Sequence, residues 1–325
     1  MSSNSIAATI GDQTNCEEQG MARKAAFIAG DWGTTNARFW LCDAEGAVLA
    51  QSAGPGVSPL RGTGRFADEF AKAITGWPEG VPAVLCGMIG ANIGWREGPF
   101  RSLPARLDCG GENALRFTEQ GRDIAIVLGV SGINTLGQPD LMRGEETQLA
   151  GIHAGGGAGD GLYVLPGTHN KWVWLEDRAI TAFHTAMTGE LYAAISGNTI
   201  LLTAAATPPA PGEAFDRGVR LAIGRAEGGI ASLLFSVRTL QVLGHMAETD
   251  AASYLSGLMI GSDVAGGLAL FGEPVGSNPV TLVGGAGLAR SYARALELAG
   301  CNSRLISGDD AVRVGLTLAW RQIFG

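Results

Sequence analysis

The chain has 325 residues and a formal net charge of −8, with 46% apolar and 17% charged residues. Such a composition can bury a core over about two domains and excludes a disordered chain. The 50 glycines show no Gly-X-Y period, which excludes collagen, and the acidic balance argues against a nucleic-acid partner. A small anion held by a local cluster of donors stays open.

Residues 1–24 are polar, carry Glu17 and Glu18, and read as a disordered leader rather than a signal peptide. No stretch reads as the roughly 20 apolar residues of a membrane span. The five cysteines are scattered without a Cys-x-x-Cys pair, so they read as buried small apolar residues in a reducing cytoplasm. From Ala25 the texture changes. Apolar runs at 25–30, 38–42 and 47–50, separated by a polar turn over Asp31–Asn36 and by Asp43–Gly46, predict an antiparallel meander. The same texture returns at 162–165, 171–175 and 179–183. Set without gaps over Gly167–Asp177, the segment Gly33–Asp43 agrees at six of eleven positions, including Trp40 with Trp174. Two halves on one plan predict two similar lobes with a cleft between them.

Between and after the meanders the pattern is α/β. A helix is predicted at 66–75, buried strands at 83–86 and 124–129, and helices at 188–206, 214–226, 230–245 and 251–270. A strand at 280–283 then leads through glycines into a helix at 288–299, and Pro208–Pro211 reads as a linker.

Chemistry is expected at the turns. Gly33-Thr34-Thr35-Asn36 offers backbone N–H groups and two hydroxyls suited to phosphate oxygens, and Asp31 before it is placed to hold Mg²⁺ through water. The second turn, Gly167-Thr168-His169-Asn170, repeats the phosphate-type residues, but Leu165 stands where Asp31 stands in the first. The acid is in one half only. His169 is a candidate for phosphate or substrate, whereas His153, His184 and His245 read as structural. Gly284, Gly285 and Gly287, between a strand and a helix, allow a flat ligand or phosphate to approach the backbone. The run Gly155–Gly159 lacks a P-loop ending and reads as a flexible hairpin loop.

These three glycine-rich elements, in this order, resemble the phosphate 1, phosphate 2 and adenosine motifs of the acetate and sugar kinase/Hsp70/actin superfamily. Within it, Gly30–Asn36, Cys86–Gly90, Asp140–Gln148, Leu165–Trp172 and Ser256–Gly261 resemble the 2-keto-3-deoxygalactonokinases. The resemblance covers residues 26–325, with Asn170 where Ser is more usual. It implies two duplicated ribonuclease H-like lobes of the actin-like ATPase fold: a substrate-binding lobe over 25–150 and an ATP-binding lobe over 151–325. It implies ATP and Mg²⁺ as cofactors, and phosphorylation of 2-dehydro-3-deoxy-D-galactonate at its terminal hydroxyl. Another sugar or sugar acid is the alternative substrate, and a nucleotide-switched regulatory module is the alternative class. Oligomeric state is left open.

For the sugar acid, Met88 and Gly90 are expected at the site, with Arg96 and Arg143 as carboxylate ligands and Arg61 and Arg101 as further candidates. In glycerol kinases an Asp in a Gly-Asp-Gln-Gln run looks like the general base, and Gly144-Glu145-Glu146-Thr147 occupies the matching place. Glu145 is therefore the expected base, with Asp140 and Glu146 as alternatives. Residues 1–22 have no apolar periodicity with which to dock. Deleting them is expected to leave the melting temperature and turnover nearly unchanged, as thermal unfolding and a kinase assay would read.

Overall fold

The computed structural model describes residues 24–157, 159–202, 210–272 and 278–325. The leader up to residue 23, residues 203–206 of the helix predicted at 188–206, and Pro208 and Pro209 of the linker lie outside the described residues.

The first half runs β1 (Phe27–Trp32), β2 (Asn36–Cys42), β3 (Val48–Pro55), α1 (Val57–Leu60), α2 (Phe66–Ala73) and β4 (Ala83–Gly87). It continues through β5 (Arg101–Ser102), β6 (Ala105–Arg106), β7 (Ala114–Glu119), β8 (Arg122–Val127), β9 (Val130–Ile133), β10 (Pro139–Met142) and α3 (Glu145–Ala154). The second half opens with β11 (Gly161–Leu165), β12 (Asn170–Glu176) and β13 (Ala179–Ala186). Four helices follow, α4 (Thr188–Asn198), α5 (Glu213–Gly224), α6 (Gly229–Val242) and α7 (Ala251–Phe271). The chain ends with β14 (Val280–Gly284), α8 (Ala286–Leu298), β15 (Ser303–Ser307) and α9 (Gly308–Ile323).

One sheet has the order β3-β2-β1-β4-β8-β7 and another β15-β14-β11-β12-β13-β6. In each, an antiparallel meander continues into two parallel strands: β1 beside β4 and β8, and β11 beside β14 and β15. The first five strands of one sheet thus match five of the other in order and direction. This is the ribonuclease H-like arrangement present twice, the actin-like ATPase fold. The edge strands differ, because β7 closes the first sheet, whereas β6 from the first half of the chain pairs with β13 of the second. Asp31 and Trp32 belong to β1 and Asn36 to β2, so the first turn is tighter than expected. Gly155–Gly157 close α3 rather than a hairpin.

Each half ends in a helix entered through glycine. Gly144 precedes α3 at a φ of 106°, a left-handed conformation that favours glycine, and packs near the Cα of Gly87 at the end of β4. Gly308 at the start of α9 packs in the same way on Gly284 at the end of β14. The two helices then touch backbone to backbone, for a Cβ at Gly151 would overlap the Ala311 carbonyl and one at Gly315 the Thr147 carbonyl. Around this contact, Phe27, Val84 and Cys86 of the first sheet and Tyr163, Val173 and Val283 of the second share one core with Leu149, Ile152, Val312 and Leu316. A boundary after residue 150 would fall inside α3. Of the three tryptophans expected to pack in the core, Trp40 and Trp172 are buried and Trp174 is half-buried.

Helix α7 corrects one expectation. With the turn before it, Glu248–Phe271 is long and apolar enough to cross a membrane, yet more than half of it is buried in the protein. Its uniform apolarity is that of a core helix, with Gly257 and Gly261 letting it lie against the backbone of α5. Gly315→Ala should destabilise the protein by about 1–3 kcal/mol or more, because a backbone overlap outweighs the ~1 kcal/mol gained in helix propensity. Gly266→Ala, exposed on α7 with open space around it, should stabilise slightly. Urea midpoints at unchanged m-value check both.

Candidate active site

The two hairpin turns face one cleft of about 390 Å³ between the sheets. Each turn is braced from behind by the start of the next helix. Gly56 donates its N–H to the Thr35 carbonyl and Ser58 to that of Thr34, at 2.9 Å each, and Glu190 donates to the Thr168 carbonyl at 3.0 Å. A Cβ at Gly56 or Gly189 would run into the turn it braces, so glycine permits the contact.

The cleft walls hold Asp31, Gly33 and Thr34 from the first hairpin and Gly167, Thr168, His169 and Lys171 from the second. Arg38, Met88, Arg143, Glu145, Gly284, Gly285 and Asp309 are among the other lining residues. At Gly167 the cleft meets an apolar cavity of about 380 Å³, lined by Thr188, Tyr192, Met259, Gly287, Leu288 and Arg290 among others. A polar cleft joined to an apolar cavity fits a triphosphate joined to a base and sugar.

Several expected residues sit otherwise. Arg96 is outside the cleft, stacked over Phe117 and paired with Glu119 at 3.5 Å, since its segment turns back onto the outer face of the first sheet. Gly90 is buried beneath the site and leaves room for Arg143, whose Nη1 would lie 3.2 Å from a Cβ there. Asn170 is buried and spent internally. Its Oδ1 accepts from the Gly167 N–H at 2.7 Å, and its Nδ2 donates to Asp263 at 2.6 Å and is bonded to Tyr292. The Gly33 N–H likewise turns inward, to the Asn36 carbonyl at 2.9 Å. Thr35 and Asn36 are exposed in the turn beside the cleft wall. In both turns, then, the glycine N–H and the Asn close the loop and Thr34 and Thr168 face the cleft.

The carboxylates separate cleanly. Asp140 accepts from the Thr185 N–H at 2.8 Å, the Thr185 hydroxyl at 2.6 Å and Asn134 at 3.2 Å, tying β10 to β13. Glu146 is buried and uses both oxygens, one accepting from the Gly144 N–H at 2.7 Å and one from the Thr147 hydroxyl at 2.8 Å. Glu145, at the first turn of α3, pairs through Oε1 with Lys171 at 3.5 Å and has no hydrogen-bond partner at Oε2. Asp31 gives one oxygen to Arg38 at 2.7 Å, and its Oδ1 meets only the weak donor Cys86 at 3.9 Å. Arg38 also reaches Asp309.

Arg143 is fixed by stacking 3.8 Å above the Phe100 ring and by donating from Nη2 to the Gly98 carbonyl at 2.5 Å. Its Nη1 is buried without a partner, and burial lowers its pKa from the ordinary value. Arg101, by contrast, is engaged with the Arg106 and Asp108 carbonyls at 3.0 and 2.9 Å. His169 pairs with Glu190.

The family model for 2-keto-3-deoxy-galactonokinase matches residues 31–319. The chain belongs to this family. It is 40% identical to a Rhizobium meliloti protein assigned as a 2-dehydro-3-deoxygalactonokinase, over 94% of this chain and 99% of that one. It is 35% identical to the Escherichia coli 2-dehydro-3-deoxygalactonokinase, over 90% and 96% respectively. A crystal structure assigned to the same activity from Sinorhizobium meliloti superposes with a TM-score of 0.82 at 39% identity, covering 92% of this chain and 97% of the other.

Sequence reasoning missed Lys171, Arg38 and Asp309 in this kinase-family cleft. Alternation along β2 and β12 was the available signal, since Arg38 lies opposite Asp31 and Lys171 opposite Leu165. Burial, and then the charge of Glu145, push the Glu146 carboxyl up to about 7. The folded state therefore holds a proton that the unfolded state has released, so stability falls as pH rises from about 4.5 to 7 and then levels off, by at most about 3 kcal/mol. Glu146→Gln can still accept from the Gly144 N–H through its carbonyl oxygen and donate to the Thr147 hydroxyl through its amide, and should flatten this slope in urea unfolding measured from pH 5 to 8.

Proposed function

We infer that the protein is a 2-dehydro-3-deoxygalactonokinase that transfers the γ-phosphoryl group of ATP to the terminal hydroxyl of the sugar acid in the cytoplasm. The observation that carries the chemistry is a cleft carboxylate with an unused acceptor: Glu145 lines the cleft beside the two phosphate-type turns, and its Oε2 is buried without a hydrogen-bond partner. The first half, 25–150, presents the sugar acid, and the second, 151–325, presents ATP.

Thr34 and Thr168 donate to the phosphates from opposite walls, while Gly284, Gly285 and Gly287 let the nucleotide lie against the start of α8. Arg143, held flat on Phe100 with Nη1 unspent, takes the carboxylate of the sugar acid, and Met88 lies against its carbon chain. Glu145 Oε2 accepts the proton of the attacking hydroxyl as its oxygen bonds to the γ-phosphorus. The bond to the β,γ-bridging oxygen breaks, and its electron pair leaves with ADP.

The donor set fits Mg²⁺, which is usually held by one or two carboxylates together with phosphate and water. Asp31, with Oδ1 unspent on any strong donor, would hold it; when bound, it supplies charge neutralisation at the phosphates. Closure of the two halves on both substrates would exclude water and limit futile hydrolysis.

A coupled ADP-release assay over a panel of 2-keto-3-deoxy sugar acids tests the substrate, and the galactonate-derived compound should give the highest kcat/KM. In the same assay Glu145→Gln should cut kcat on the order of 10²–10⁴-fold with little change in KM. Asp31→Asn should lose turnover severely and weaken the Mg²⁺ dependence. If Asp140→Asn or Glu146→Gln shows the Glu145 pattern and Glu145→Gln does not, the base is misassigned.

A further inference from the structure

The ion pair between Lys171 and Glu145 spans the cleft, with the cation on a hairpin of the second sheet and the acid on the helix that follows the first. Its counterpart is Arg38 with Asp309, the cation on the first hairpin and the acid on the helix that follows the second sheet. The correspondence is positional. Arg38 pairs across its hairpin with Asp31 and Lys171 across its own with Leu165, while Glu145 and Asp309 each follow the glycine packed on the preceding strand end.

The two pairs differ in what surrounds them. Arg38 divides itself between Asp31 and Asp309, and the Asp309 side chain is 68% exposed. Lys171 faces Leu165 instead of a second acid, and its side chain is only 5% exposed. Lysine is almost never buried this far without an anion. Among the described residues its ammonium is therefore undivided, with Glu145 as its one carboxylate partner.

Glu146, the neighbour of Glu145 in α3, is a second carboxylate, and the cost of a second charge in this site falls on Glu146, which is pushed up to about 7, while Lys171 faces Glu145. The other charged groups around it are Arg143 from its own segment, His169 from the second hairpin, and Asp31, Arg38 and Asp309 across the cleft. Arg143 is fixed on Gly98 and Phe100 and its one unspent nitrogen is assigned to the sugar-acid carboxylate, while His169 is spent on Glu190 and Arg38 on its two aspartates.

We propose that Lys171 is a positioning residue for the base, holding Glu145 ionised through Oε1 and leaving the buried Oε2 unbonded, so that it takes the proton of the acceptor hydroxyl once the substrates are bound. Lys171 keeps its own three protons throughout. The inference rests on Glu145 being the base.

The test is a set of pH profiles of kcat at saturating ATP and sugar acid for Lys171→Met, Lys171→Arg, Glu145→Gln and the double variant. Lys171→Met should lower kcat about tenfold or more, a fraction of what proton transfer contributes. Its acid limb should move up by about 1 unit or more, with the KM for ATP nearly unchanged. Lys171→Arg should restore the limb and much of the rate. In the Glu145→Gln background, Lys171→Met should add little further loss. A raised KM for ATP with an unmoved acid limb would make Lys171 a phosphate ligand and overturn the proposal, as would a full additional loss in the double variant. Failure of the base reading itself is separate, because it appears as near-normal turnover of Glu145→Gln with Lys171 intact. Should Lys171→Met not fold, Lys171→Gln replaces it with the same readouts.

Discussion

The contact on which the rest of the molecule depends is the crossing of α3 and α9, where glycine in each helix meets the carbonyl oxygen of the other. Side chains would hold the helices at the usual 8–10 Å between axes, and their absence allows a closer approach. That closeness brings the inner faces of two sheets onto one shared core and sets the starts of both helices at the floor of the cleft. Glu145, first in α3, and Asp309, second in α9, inherit their positions from it. Neither hairpin would meet a partner from the other half without this join.

On this near-symmetric frame the chemistry depends on a few broken equivalences. Both turns share a closing Asn, a bracing glycine and a threonine at the wall, which gives the cleft two phosphate-type faces. Asp31 against Leu165 puts a carboxylate at one face only. Arg38 is consequently shared between acids, whereas Lys171 is left whole for Glu145. A duplicated scaffold thus separates a place suited to a metal ion from a place suited to a base, without a change of backbone.

Buried polar groups beneath the turns serve rigidity rather than chemistry. Asp263 accepts from Asn170, from Tyr292 and, at 2.9 Å, from the Trp172 indole N–H, so the second turn rests on a network anchored in α7 and α8. Burial lifts the Tyr292 hydroxyl well above its ordinary pKa and keeps it a neutral donor. Gly267 lies flat against Trp172, where any Cβ would overlap the ring. The apolar helix that looks like a membrane span in composition is in fact the support for this network.

The local pattern of the chain determined both meanders, the repeat linking Gly33–Asp43 to Gly167–Asp177, most of the helices and the candidate turns, because period, turn residues and short-range hydrogen bonds are written within a few positions of each other. The base was legible as one of three carboxylates. Only tertiary structure distinguishes them, by consuming the oxygens of Asp140 and Glu146 and leaving one buried oxygen of Glu145 without a partner, which is the ground for proposing Glu145. It likewise carried Arg96 to the outer face, turned Asn170 inward, added β6 to the far sheet and set Lys171 against Glu145. Each of these depends on which distant side chain arrives at the same point in space, and that is decided by how two halves of a chain pack, not by the spacing along either one.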